Sequence, residues 1–121
     1  MSEEEQTLPE VTPQQLAEML QSRPDLILLD VREPYEFPRA RLEDGRVAHA
    51  PLSDLARKHL EGLPDKVKED KAVPVVVFCH HGLRSAQVTA WLLELGWEAV
   101  YNLSGGIDAY ARQVDPSIGL Y

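Results

Sequence analysis

One cysteine stands in 121 residues. A single thiol cannot close an internal disulfide or assemble a thiolate metal cluster, so Cys79 acts alone or with non-sulfur neighbours. Positive charge is scarce as well: 12 Lys and Arg face 20 Asp and Glu, for a net charge of -8. That balance argues against a chain built to grip nucleic acid or anionic lipid, because phosphate contacts need clustered cations. No stretch approaches the roughly 20 apolar residues that cross a bilayer. The opening segment, with Glu3, Glu4 and Glu5, lacks the basic start and apolar run of a secretion signal. These deficits predict a cytoplasmic protein with no nucleic acid and no membrane among its partners. Internal repeats and low-complexity tracts are absent too.

What is present suits one compact domain, since 44% of the residues are apolar and the length leaves no room for a second core. Thr12-Pro13-Gln14-Gln15 reads as a capped helix start, with Val11 placed to staple onto Leu16 and with Leu16, Met19 and Leu20 facing a core. Leu26 to Val31 is apolar except for Asp30, the pattern of a strand buried on both faces. A weaker extended run covers Val47 to His49. Ser53 is a candidate cap for a helix carrying Leu55, Ala56, Leu60 and Leu63, and the charged stretch Asp65 to Lys71 reads as a solvated connection. Val73 to Cys79 is the clearest strand. Ser85 to Leu95 then reads as a helix with Ala86, Ala90, Leu93, Val88, Leu92 and Leu95 on a wide apolar face. Glu98 to Leu103 is a last strand, and Gly105-Gly106 opens a final helix with Ile107, Tyr110 and Val114 on one side. Strands alternating with helices predict a parallel α/β sheet covered on both faces.

Ligands of open α/β sheets bind beyond the carboxyl ends of the strands, and Cys79 lies at such an end with a helix following closely. If Cys79-His80-His81-Gly82-Leu83-Arg84 curls around the sulfur, backbone N–H groups and the helix N-terminus converge on a point that suits an anion. A helix N-terminus with a nearby cation favours the nucleophilic thiolate, and Arg84 is the nearest candidate cation, with a fork able to hold an oxyanion. A cysteine ending an apolar strand is otherwise a small buried hydrophobe; the glycine, the arginine and the helix start turn the reading toward catalysis. His80 and His81 are either exposed loop residues or groups that attract anions and exchange protons. A metal centre is not expected: neighbouring histidines rarely aim at one ion, and His49 and His59 have no ligand spacing.

The stretch VVVFCHHGLRSAQVTAWLLELGWEAVYNLSGGIDAY resembles the C-terminal half of a rhodanese domain, and LLDVREPYEF resembles that family's N-terminal signature. The resemblance runs from about Leu8 to Val114. It divides the chain into a flexible acidic tail over residues 1–7, a rhodanese-like three-layer domain over 8–114 with a central parallel sheet of about five strands, and a C-terminal tail over 115–121. It implies a thiosulfate sulfurtransferase in which Cys79 takes a sulfane sulfur from a small anionic donor such as thiosulfate and passes it to cyanide or a thiol. The intermediate is a persulfide on Cys79, with no other cofactor. His80, His81, Gly82, Leu83, Arg84 and Ser85 map onto the substrate-binding loop. Asp30, Arg32 and Glu36 fall on signature positions and are assigned to structural support, with the Asp30 and Arg32 charges expected to satisfy loop backbone or pair with Glu33 or Glu36. Tyr110 replaces the tryptophan usual after the glycine pair. The family's Gly-His-Ile-Pro-Gly-Ala run is replaced by Ala40 to Arg46, which puts Arg39, Arg41 and Arg46 near the expected mouth, as surface ion pairs or as modifiers of donor choice. An alternative is a sulfur relay acting with a protein donor or acceptor. Phosphatases and arsenate reductases of this fold place five residues between cysteine and arginine, whereas four separate Cys79 from Arg84, a loop better sized for one sulfur atom.

Overall fold

A computed structural model describes residues 8–121; the expected acidic tail over 1–7 lies outside the described residues. Five strands, β1 (Glu10–Val11), β2 (Ile27–Asp30), β3 (Val47–His49), β4 (Val75–Phe78) and β5 (Val100–Leu103), form one sheet. Their order is β1-β5-β4-β2-β3, and every pairing is parallel. Successive side chains leave opposite faces of a strand, which explains the unbroken apolar runs of β2 and β4. Ile27, Leu29, Val31, Val75, Val77 and Cys79 enter one core, while Leu26, Leu28, Val76 and Phe78 enter the other. Leu55 of α2 (Leu52–Lys58), Val67 of α3 (Asp65–Lys68) and Val88 and Leu92 of α4 (Leu83–Glu94) cover the first face. Leu16 of α1 (Pro13–Ser22) and Ile107 and Tyr110 of α5 (Gly106–Gln113) cover the second. This is the three-layer α/β arrangement expected. No described helix is long and apolar enough to cross a membrane.

Several local expectations change. β1 has two residues, too few to show a period of two in the sequence. Thr12 and Gln15 do form the capping box of α1, but Ser53 caps nothing. It lies inside α2, whose N-cap is Pro51, and its hydroxyl donates to Glu33 at 2.6 Å. The charged Asp65 to Lys71 segment contains α3, because Val67 is fully buried and its carbonyl accepts the Trp97 indole N–H at 2.9 Å. On α4 the buried residues are Ser85, Val88, Thr89 and Leu92; Val88 and Leu92 belong to the expected face and Leu93 packs against the same core, whereas Ala86 is half-buried and Ala90 and Leu95 are exposed. Apolarity misjudged only the extent of that face, because two inward positions are polar groups satisfied internally: Thr89 Oγ1 donates to the Ser85 carbonyl at 2.8 Å. The segment expected as a C-terminal tail packs onto the domain through a 3-10 turn, Pro116–Ile118, with Ile118 buried. The Arg41 N–H donates to the Ile118 carbonyl at 3.2 Å.

Candidate active site

Cys79 follows β4, between β2 and β5, where the chain turns from one half of the sheet to the other. Such reversals open crevices at strand ends. Gly82 adopts φ 102°, left-handed backbone that glycine accepts without strain. The turn brings the Gly82 N–H to 3.1 Å and the Ser85 N–H to 3.4 Å from Sγ. Behind the loop, the first N–H groups of α5 hold it in place: Ile107 donates to the Cys79 carbonyl at 2.9 Å and Asp108 to the His80 carbonyl at 3.1 Å. Gly106 permits this close approach, since a Cβ there would collide with the His80 carbonyl. The expected cradle of amides is therefore formed, but around an enclosed sulfur. Cys79 is 1% exposed, because its side chain enters the core beneath α4 and the loop folds back over it.

Ser85 Oγ lies 3.3 Å from Sγ and donates to Asn102 Oδ1 at 2.5 Å. The Asn102 amide is oriented by its other end, where Nδ2 donates to the Gly82 carbonyl and to Glu10, each at 3.2 Å. With its one proton committed to Asn102, the Ser85 hydroxyl can only accept from the thiol. Two N–H groups thus suit a thiolate, and the hydroxyl accepts from the thiol form.

Arg84 does not stand free beside the sulfur. Its Nη1 and Nη2 bind the two oxygens of Glu36 at 2.6 and 2.9 Å. Glu36 sits on a 3-10 helix, Pro34–Arg39, and also accepts from the Glu33 N–H at 3.0 Å and the Tyr121 hydroxyl at 2.9 Å. The Arg84 bonds hold the Glu36 carboxyl down to about 2, against burial that works to raise it, with lesser help from Glu33 and Tyr121. Burial first, and the Glu36 charge with it, push the Tyr121 phenol up to about 12, while Arg32 acts to lower it. Of the two arrangements expected for the support residues, the structure has the one that satisfies loop backbone: Arg32 takes Asp30, not Glu33 or Glu36 carboxylate, through Nε at 3.0 Å and Nη2 at 2.9 Å. It also donates to the Glu36 carbonyl and the Tyr121 hydroxyl. Both Asp30 and Arg32 are buried, so neither charge can lose its partner cheaply.

The His80 ring lies between His81, at 3.8 Å, and Tyr121, at 3.7 Å and nearly parallel. Burial chiefly, and then the His81 charge, lower its proton affinity. His81 is exposed, as is Leu83. His80, His81 and Asp108 each bring a ligand atom within 4.8 Å of the others. Imidazole lone pairs lie in the ring plane, so stacked rings do not aim at one ion, and the set does not fit a resident metal. Of the loop arginines, Arg46 is structural, bound to Asp44 at 2.9 Å and to the carbonyls of Arg23 and Leu20. Arg41 makes an exposed pair with Glu43 at 3.5 Å, and Arg39 lies over the Tyr121 ring at 5.7 Å. Sequence reasoning missed Asn102 and Tyr121. The polar interruption of the strand Val100–Leu103 could have flagged Asn102; nothing short of the folded chain indicates Tyr121.

Fold and site together define a single parallel α/β domain that presents one thiol in an amide cradle at a strand end. The rhodanese-like domain family matches residues 12–113, and the chain belongs to this family of sulfurtransferases. It is 32% identical to thiosulfate sulfurtransferase GlpE of Glaesserella parasuis over 93% of this chain and 94% of that protein. It is 40% identical to rhodanese-like/PpiC domain-containing protein 12 of Arabidopsis thaliana over 78% of this chain, but spans only 30% of that protein. Among solved structures, a rhodanese-related protein from Thermoplasma volcanium superposes with a TM-score of 0.70 at 25% identity, over 88% of this chain and 93% of that one.

Proposed function

We propose that Cys79 moves a sulfane sulfur as a persulfide, from thiosulfate or a similar donor to a thiophilic acceptor. The observation that carries the reading is the pair of N–H groups from Gly82 and Ser85 on Sγ. These are donors that stabilise negative charge on a sulfur that is alternately thiolate and persulfide. The resemblance to GlpE, named a thiosulfate sulfurtransferase, supports the choice of donor. In the first half-reaction the Cys79 thiolate attacks the outer sulfur of thiosulfate. The Sγ–S bond forms, the S–S bond to the sulfonyl group breaks, and sulfite leaves with the electron pair. In the second, cyanide or a thiolate attacks the outer persulfide sulfur and returns the thiolate to Cys79. Binding roles for His80, His81, Gly82, Leu83 and Ser85 belong to the same proposal, with Asp30, Arg32 and Glu36 as support; Arg84, expected to bind the donor, is instead held by Glu36, and no metal or organic cofactor takes part.

Intact-mass measurement after incubation with thiosulfate is expected to show a gain of one sulfur, lost again on adding cyanide. Cys79→Ser is expected to retain the fold and abolish turnover; turnover in that variant would remove the mechanism. A relay role with a protein partner is a second reading, favoured by two exposed apolar side chains flanking the Glu36–Arg84 pair. Tyr35 is 72% exposed and Leu83 79%. Loading from a protein persulfide but not from any small donor would select it.

A further inference from the structure

We infer that Glu36 sets the donor preference of the Cys79 site, favouring sulfur carried on carbon, an organic persulfide R–S–SH, over the thiosulfate dianion. The inference rests on the persulfide reading above and starts from the state of Arg84. The guanidinium fork that an oxyanion would need is already filled by the two oxygens of Glu36, at 2.6 and 2.9 Å. That carboxylate is not a loose surface group: it is 4% exposed. The Glu33 N–H fastens one oxygen at 3.0 Å and the Tyr121 hydroxyl the other at 2.9 Å. Tyr121 is fixed in turn by Arg32 Nη1 at 3.2 Å and by stacking on His80, the residue next to Cys79. Arg84 cannot turn to an incoming anion without breaking two charge-assisted bonds and leaving Glu36 buried and unpaired.

The surrounding charges do not restore a binding site for a dianion. The Glu36 and Arg84 charges cancel, and Asp30 neutralises Arg32 at 2.9 Å. Asp108 is paired with Arg112 at 2.9 Å. His80 is held toward its neutral form, first by burial. Arg39 lies against the Tyr121 ring. Thiosulfate therefore meets a neutralised mouth with a carboxylate in it. An organic persulfide needs no fork, only the Gly82 and Ser85 N–H groups on the reacting sulfur. In that step the Cys79 thiolate attacks the terminal sulfur of R–S–SH. The Sγ–S bond forms, the S–S bond to R breaks, R–S⁻ leaves with the electron pair, and the proton stays on the transferred sulfur. No oxidant or reductant is consumed.

The test compares thiosulfate with 2-hydroxyethyl persulfide, a donor that has no oxyanion group and at most one negative charge, by single-turnover loading of Cys79 in the full chain. The proteins are the wild type, Glu36→Gln, Tyr121→Phe and the double variant Glu36→Gln/Arg84→Gln. The wild type is expected to prefer the persulfide. Glu36→Gln is expected to raise kcat/KM for thiosulfate about tenfold or more, mainly through KM, as expected for removing a like charge at close range, with little change for the persulfide. Tyr121→Phe should move thiosulfate use the same way by less, and the gain should vanish in the double variant, which a merely structural role for Glu36 would not produce. Equal thiosulfate constants in wild type and a folded Glu36→Gln would overturn the inference alone. If Glu36→Gln does not fold, an unchanged constant in Tyr121→Phe does the same. Sulfur loading from neither donor would remove the persulfide function, and this inference with it.

Discussion

Arg84 lowers the Glu36 carboxyl from its ordinary 4.5 to about 2, and this ties stability to pH. A group with a depressed pKa contributes fully above its unfolded value and loses the contribution as pH falls toward its folded one. The window is therefore pH 4.5 down to about 2, and the contribution is at most ~3 kcal/mol, counted once for the pair. Urea unfolding at pH 6 and pH 3 is expected to show the gap between wild type and Glu36→Gln narrowing at the lower pH; a constant gap would contradict the assignment. Individual residues were unevenly legible. Cys79 and its loop stood out in the sequence because a glycine, an arginine and a helix start follow it within six positions. Partner choice did not. Asp30, Arg32, Glu33, Glu36 and Arg84 offer several pairings of opposite charge, and only the folded geometry decides that Glu36 takes Arg84 while Asp30 takes Arg32.

At the level of elements, the site depends on how β4 and α5 meet. Their junction needs a glycine at 106, where φ is 69° and a side chain would strike the carbonyls of Cys79 and His80. Gly106→Ala is expected to cost about 3 kcal/mol or more, through strain and a backbone collision together. Gly45→Ala, with nothing within 4 Å of the added carbon, should stay within about 1 kcal/mol of wild type. Thermal unfolding of the two variants makes the comparison. The long elements were readable because burial on both faces gives β2 and β4 their continuous apolar runs and because Thr12 and Gln15 announce α1. Short ones were not. β1 and α3 are two and four residues long, below the length at which periodicity can speak, and α4 turns Ser85 and Thr89 inward where apolarity alone points elsewhere.

For the whole molecule, the largest departure from the sequence reading is the segment after Val114, which has no strong period yet supplies Ile118 to a core and Tyr121 to the loop over Cys79. Removing residues 116–121 is expected to lower the urea midpoint and to speed alkylation of Cys79 by iodoacetamide, since His80 and Glu36 both lose a contact. Unchanged alkylation would mean that this segment does not guard the sulfur.

The sheet order also constrains when the domain can be completed. β1 has one neighbour, β5, with Glu10 opposite Asn102, and Asn102 in turn orients the Ser85 hydroxyl beside Cys79. During synthesis the first strand must therefore wait, unpaired, until more than ninety further residues have left the ribosome. Such late, distant pairings are slow to form. A nascent chain stalled before Asn102 would emerge with Cys79 already made but its neighbours not yet in register, so the thiol's surroundings are among the last features of the protein to mature.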